Sequence, residues 1–348
     1  MIKGLEIKKN ANLEMIRALA IIFVLYAHIA FFCFGNFAVE PWLGYILGGT
    51  GQVNTSSDFS VFTWISNTNT LVKFDYGKLG IGLFFLLSGY LFAEQSLKIS
   101  VGEIFVKRIF RISIPIIVIF VTLKFIFLPD YKLIEKHTPI GILFFPFPII
   151  DIGIFWTIQV ELLFYLLFLI FKPNTFKKMT ILIFFLVGSK FLVSYFIDYS
   201  LFEFYYKWQI FLLIGSSFIF GANHILIIIF FLLAKYIFNF SNSDLISVFI
   251  AYILFFFTLK VKTIPHSLKN FFGFVARVSY SVYLIHLLTI CTAIFYLQNF
   301  IGFDLAFLVG FLFTFLASYL SAITIEKFSI NCGKSTIKFF NTIKKKNI

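Results

Sequence analysis

Residues 12–34 read NLEMIRALAIIFVLYAHIAFFCF, an apolar run long enough to cross a lipid bilayer as a helix. The run carries Glu14, Arg17 and His28, and charged groups inside a spanning helix face a partner or a wet cavity. Arg17 and His28 share one helical face, roughly 16 Å apart along the axis. Glu14 lies one turn before Arg17 and can pair with it. The stretch therefore predicts a first span that carries functional groups.

The composition of the whole chain is that of a membrane protein. Of its 348 residues 60% are hydrophobic and 13% are charged, and the mean hydropathy is +0.96. Soluble domains are nearer half apolar and a quarter charged. The sequence therefore predicts an all-α polytopic membrane protein. The net charge of +13 comes from residues that flank apolar runs, so we expect no nucleic-acid partner.

Apolar runs of spanning length predict a single bundle of about ten transmembrane helices. They lie near 12–34, 77–95, 107–128, 153–171, 178–197, 204–220, 222–238, 244–260, 271–297 and 302–326. The first run is too long for a cleavable signal peptide and contains Arg17, so we interpret it as a span. One membrane domain over 12–328 follows, between a tail at 1–11 and a basic tail at 329–348.

Most Lys and Arg residues lie in segments on the same side of the predicted membrane as the N-terminus. These residues are Lys3, Lys8, Lys9, Lys98, Lys107, Arg108, Arg111, Lys172, Lys177, Lys178, Lys260, Lys262, Lys269, Lys327, Lys334, Lys338 and Lys344 to Lys346. The opposite segments hold only Lys73, Lys78, Lys132, Lys136, Lys207 and Lys235. Because cytoplasmic loops are rich in Lys and Arg, we expect both termini to be cytoplasmic.

Two stretches near the second and third spans are candidates for binding. The second span, GKLGIGLFFLLSGYLF at 77–92, is rich in glycine and contains Ser88. Its small residues favour either close helix packing or the close approach of a narrow substrate. Arg108 and Arg111 lie one turn apart at the start of the third span. Lys would suffice for topology, whereas paired guanidiniums can clamp a phosphate.

Ionisable residues also mark the later spans. The fourth span begins WTIQVELLFYLLF at 156–168, where Trp156 precedes a buried Glu161 and Tyr165 follows one turn later. A buried carboxylate needs a partner, so structural pairing and orientation of a base both fit. In the ninth span Tyr283 lies one turn before His286, which can be a core residue or a functional one.

The remaining titratable residues and the cysteines give weaker indications of a functional site. Glu326 lies at the inner end of the tenth span, where it can meet a basic group. The other histidines, His137, His224 and His266, are predicted in loops. The cysteines Cys33, Cys291 and Cys332 show no paired or metal-binding spacing, so we expect no metal and no permanently bound cofactor.

Taken in order, these motifs resemble the acyltransferase-3 family of integral-membrane O-acyltransferases that modify bacterial surface polysaccharides. The resemblance rests on R-x10-H in span one, FFxxSG, RxxR, WxxxxE, SYSxYLxH and a final IEK, from about Leu13 to Phe328. Two positions depart from the family pattern. Thr157 replaces a serine after Trp156, and Phe328 replaces a proline after the last motif.

The resemblance implies a role for each matched residue. His28 corresponds to the essential histidine with Arg17 as its motif partner, and Arg108 and Arg111 correspond to the pair that holds acyl-CoA. Ser88, Trp156, Glu161 and Glu326 match motif positions of less defined role.

The expected activity is transfer of an acyl group, most simply acetyl, from acetyl-CoA to a sugar hydroxyl. The acceptor would be a glycan or a lipid-linked saccharide, and the location the bacterial inner membrane. An imidazole near its ordinary pKa of about 6.5 can act as the base. Glu161 can orient His28, as in a catalytic triad, and an acyl-histidine intermediate is an open variant. The alternative is an exporter of a polysaccharide or an acylated metabolite, because intramembrane charges also fit a transporter.

Overall fold

The structure is a computed structural model that describes residues 2–33, 75–122, 156–196, 200–221 and 240–346, with positions 224, 227, 231, 236 and 237. All regular elements in these residues are helical. They are α1 Ile2–Cys33, α2 Tyr76–Ser96, α3 Val101–Thr122, α4 Trp156–Phe171, α5 Phe176–Phe196, α6 Ser200–Ser217, α7 Asn242–Lys260, α8 His266–Ile301, α9 Phe303–Ser321, the π-helical segment Ala322–Glu326 and α10 Lys327–Lys346. The predicted all-α class is confirmed.

Five segments in the described residues are long and apolar enough to cross a membrane. They are Ala11–His28, Tyr76–Ser96, Asn242–Lys260, His266–Ile294 and Phe303–Ile343, and α4 is a shorter apolar helix. The protein is therefore a multi-pass membrane protein. The predicted count of about ten spans and the cytoplasmic placement of both termini stay predictions. Most of 222–238 and the long connections at 35–74 and 129–152 lie outside the described residues.

The glycine-rich helix α2 is the centre of the bundle and packs against α1, α3, α4, α6 and α7. Its small residues allow this. A Cβ atom on Gly89 would lie 1.9 Å from the carbonyl oxygen of Leu212, and one on Gly215 would lie 2.0 Å from that of Leu86. The backbones of α2 and α6 are thus in direct contact, which supports the packing interpretation of the glycines at 77–92.

An apolar interface joins α1 to α8 and sets the position of both histidine-bearing faces. Ala18, Ile21 and Val24 of α1 are buried in one cluster with Val278 and Val282 of α8. Successive turns of each helix present their residues to the partner on a single face. The next residues along these two faces are His28 and His286.

The chain leaves α9 through the π-helical segment and continues directly into α10. Phe328 supplies a backbone N–H that proline lacks, so the helix can continue through this position. Helix α10 then packs on the first half of α3, where a Cβ on Gly333 would lie 3.3 Å from Cα of Lys107. The basic C-terminal segment is therefore helical as far as Lys346.

Candidate active site

Two histidines from opposite ends of the chain meet inside the bundle. Nε2 of His286 lies 3.2 Å from Nδ1 of His28, and the centroids of the two rings are 4.8 Å apart. His286 is fully buried, whereas His28 is half-buried. The prediction that His28 and His286 lie in spans is met by α1 and α8, and the structure brings the two side chains together.

Backbone carbonyls define which ring nitrogens carry protons. Nδ1 of His286 faces the carbonyl oxygens of Val282 at 3.0 Å and Tyr283 at 2.8 Å. Nδ1 of His28 faces the carbonyl of Val24 at 2.9 Å. A carbonyl oxygen only accepts, so each neutral ring is protonated at Nδ1. Nε2 of His286 then accepts from His28, and Nε2 of His28 keeps its lone pair.

A cluster of arginines and glutamates lies toward the opposite end of α1. Arg111 forms an ion pair with Glu326 at 3.9 Å, and its guanidinium lies 5.6 Å from the ring centre of Tyr280. Ser281 donates a hydrogen bond to the same carboxylate. Glu326 therefore has the basic partner that its position predicted.

The second arginine of the pair lies over an aromatic ring whose hydroxyl bonds to a carboxylate. The guanidinium of Arg108 lies 5.7 Å from the ring centre of Tyr165, and the Tyr165 hydroxyl donates to the buried Glu161. Phe92 also stacks on Tyr165, with centroids 4.6 Å apart. The predicted shared face of Glu161 and Tyr165 is confirmed.

Arg17 completes this charged cluster without a direct ion pair among the described residues. It interacts electrostatically with Arg108, Arg111, Glu326 and, less strongly, Glu14. The carboxylate of Glu14 instead points toward α8, where a Cβ on Gly273 would lie 3.5 Å from its Oε2. The cluster thus contains three arginines and three glutamates, so its formal charges balance.

A narrow cavity separates the arginine cluster from the histidine pair. It has a volume of about 20 Å³ and extends from Arg17 past Ala20 to Val24, one turn before His28. This is room for about one water molecule. Tyr283, Phe84 and Thr157 also line the cavity. The Tyr283 ring stacks on Phe84, with centroids 6.1 Å apart, and its hydroxyl lies 2.7 Å from that of Thr157. Thr157 thus keeps the hydroxyl of the serine that it replaces.

Other predicted residues have contacts away from the histidine pair. Ser88 is buried on α2. Trp156 packs between Phe85 at 6.1 Å and Trp208 at 5.5 Å, so it anchors the start of α4. Within the described contacts, Glu161 bonds to Tyr165 and not to His28. The side chain that contacts the ring of His28 is His286.

The loop prediction for the remaining histidines was wrong at two positions. His224 is helical, and its Nδ1 lies 2.8 Å from the hydroxyl of Tyr252. His266 is the first residue of α8. His137 lies outside the described residues. In the part of the chain that the structure describes, no three His, Cys, Asp or Glu side chains are grouped to hold a metal ion.

The site therefore consists of a histidine pair and an arginine–glutamate cluster inside a multi-pass helical bundle, with a narrow cavity between them. The acyltransferase domain model of the acyltransferase-3 family matches residues 10–222, more than half of the chain. The protein therefore belongs to the acyltransferase-3 family. No curated protein and no solved structure matches the chain. The match includes His28 and both arginines of α3, and the fold adds His286 and Glu326 from beyond it.

Proposed function

We propose that the protein transfers an acetyl group from acetyl-CoA to a sugar hydroxyl of a cell-surface polysaccharide or its lipid-linked precursor. The family supports a membrane acyltransferase in general terms. The observation that carries the finer proposal is the contact between His28 and His286, which leaves an unprotonated ring nitrogen on a half-buried histidine.

In this mechanism His28 is the general base. Its Nε2 takes the proton of the sugar hydroxyl while the oxygen attacks the thioester carbonyl. The tetrahedral intermediate collapses to the ester, and the thiolate of CoA leaves with the proton from His28. General base catalysis of this kind contributes typically about 10²–10⁴ in rate. His286 holds the ring of His28 through Nδ1.

The two ends of the site suit two different substrates. His28 lies about 25 Å from the start of the first span by helical rise, past the middle of a bilayer. The arginine cluster lies near the start of the span, which we predict to be cytoplasmic. A donor whose phosphates meet Arg17, Arg108 and Arg111 would reach His28 from the cytoplasm. The acceptor would enter from the opposite side.

The contacts of Arg108 and Arg111 support a role in binding the phosphates of the donor. Arg111 is paired with Glu326, and Arg108 lies against the Tyr165 ring that bonds to Glu161. Guanidiniums held in this way are oriented before the donor arrives, which lowers the cost of binding. A phosphate can then accept hydrogen bonds from their remaining N–H groups.

The test compares cells that express the native protein, His28→Ala or His266→Ala at matched levels in the membrane. His266 is exposed at the start of α8, so its substitution is the control. Mass spectrometry of surface glycans measures the added acetyl mass. We expect the mass with the native and control proteins and its loss with His28→Ala. Acetylation that survives in His28→Ala would remove His28 as the base. If no protein adds an acyl group to a suitable glycan, the exporter alternative gains.

A further inference from the structure

A pocket lined by lysines lies between α3 and α10, beyond the arginine cluster. Its volume is about 420 Å³, and its lining contains Lys107 of α3 with Lys334, Ile337, Lys338, Asn341 and Thr342 of α10. Ile337 and Lys107 are half-buried, whereas both lysines of α10 are exposed. We call these six residues the lysine pocket.

The lysines of the lysine pocket form no ion pair with a carboxylate of the described residues. Ion pairs in the described part of the chain involve Lys78, Lys98, Arg111 and Lys207, and none involves a lysine of the pocket. The neighbouring arginine cluster is the opposite case, because its arginines and glutamates balance. Three ammonium groups that line one pocket repel each other, and a bound anion removes this repulsion.

The position of the lysine pocket fits one end of a long anionic molecule. Lys107 directly precedes Arg108, and Lys334 lies about 12 Å along the helix beyond Glu326 by helical rise. The pocket, the arginine cluster, the narrow cavity and His28 therefore follow one another along the bundle. A donor whose thioester reaches His28 and whose diphosphate meets the arginines would place the ribose end of its nucleotide at the outermost of these sites.

We propose that the lysine pocket binds a phosphate group, and that in the working protein this is the phosphomonoester on the ribose of acyl-CoA. The assignment rests on the proposed function. A phosphomonoester carries up to two negative charges near neutral pH, and lysines bind phosphate as point charges. The amide of Asn341 can add a hydrogen bond. An anionic lipid headgroup presents the same chemistry, so the experiment must separate the two sources.

The experiment measures binding of CoA and of dephospho-CoA, which lacks the phosphomonoester, to the full-length protein in nanodiscs of phosphatidylcholine. Three proteins are compared: the native protein, Lys334→Gln/Lys338→Gln, and the control Lys262→Gln/Lys269→Gln. The control makes the same charge change at exposed lysines that do not line the pocket. We expect the native and control proteins to bind CoA about tenfold more tightly than dephospho-CoA. The pocket variant should bind both equally.

Each other outcome overturns a defined statement. Equal binding of the two ligands by the native protein, or an undiminished preference in the pocket variant, removes the lysine pocket as the site. Loss of the preference when phosphatidylglycerol is added assigns the pocket to lipid headgroups and overturns the donor assignment. Failure of the native protein to bind CoA at all is a different result, because it counts against the proposed function itself.

Discussion

Nε2 of His286 lies 3.2 Å from Nδ1 of His28 although 258 positions separate the two residues in the chain. The contact depends on the apolar interface between α1 and α8 one turn below it. Both rings also face carbonyl oxygens of their own helices. His286 is therefore placed to orient His28 and to fix its protonated nitrogen, and in the proposed mechanism His28 meets the substrate.

Replacing His286 should weaken catalysis less than replacing His28. His286→Ala removes one hydrogen bond from His28, so we expect kcat to fall by about tenfold with little change in KM. His286→Gln can still accept a hydrogen bond and should recover part of the rate. His28→Ala should cost about 10²–10⁴ because it removes the base. Rates of CoA release with a soluble glycan acceptor measure this.

The relative loss of rate in His286→Ala and His28→Ala distinguishes a positioning residue from the general base. If His286→Ala were as inactive as His28→Ala and glutamine gave no recovery, His286 would itself be the base. The amounts of folded protein should be compared by size-exclusion chromatography before the rates are interpreted.

The ion pair between Arg111 and Glu326 should stabilise the fold. Glu326→Gln leaves a partly buried guanidinium without its carboxylate, and we expect a loss of about 1–3 kcal/mol in unfolding free energy. Glu94→Gln is the control, because Glu94 pairs with the mostly exposed Lys98 at 3.3 Å. That pair should contribute less than about 1 kcal/mol. Thermal unfolding in detergent measures both, and equal shifts would mean that the Arg111 pair contributes no more than a surface pair.

Relationships within one helix could be predicted from the sequence. The pairing of Glu161 with Tyr165 follows from the one-turn spacing of a helix, and the bounds of α2 lie within one residue of the predicted 77–95. Hydropathy and helical periodicity are local properties of the chain, so they identify spans and faces without knowledge of the fold.

Relationships between helices could not be predicted in the same way. The sequence predicts no partner for Lys78 or Lys207, and in the structure both bind the buried Asp244, which is 166 positions from Lys78. The sequence likewise named His28 and His286 separately and suggested Glu161 as the partner of His28. Which faces meet depends on helix packing, and the signal for it lies in small residues such as Gly89, whose partner the sequence does not name.

The contact between α2 and α6 should not tolerate a single methyl group. In Gly89→Ala the new Cβ would meet the backbone oxygen of Leu212, so the helices must separate. We expect a loss of about 1–3 kcal/mol or more. Gly188→Ala is the matched control, because nothing lies within 4 Å of a Cβ there. It should be neutral or stabilising by up to about 1 kcal/mol, since alanine favours a helix. The midpoint of thermal unfolding should therefore fall for Gly89→Ala and not for Gly188→Ala, and a tolerated Gly89→Ala would contradict the contact.

Asp244 should be the most sensitive carboxylate of the described bundle. Its side chain is 5% exposed, and it binds Lys207 at 2.6 Å as well as Lys78. Asp244→Asn leaves Lys207 without a counter-charge and Lys78 with Asp75 alone, and because both lysines are partly exposed we expect a loss of about 1–3 kcal/mol. Asp75→Asn is the control. Asp75 also pairs with Lys78, at 3.2 Å, but its side chain is 38% exposed. Asparagine preserves its cap on the Lys78 N–H, so we expect a change below about 1 kcal/mol. Midpoints of thermal unfolding in the same detergent measure the difference, and similar losses for the two variants would show that burial does not set the strength of this cluster.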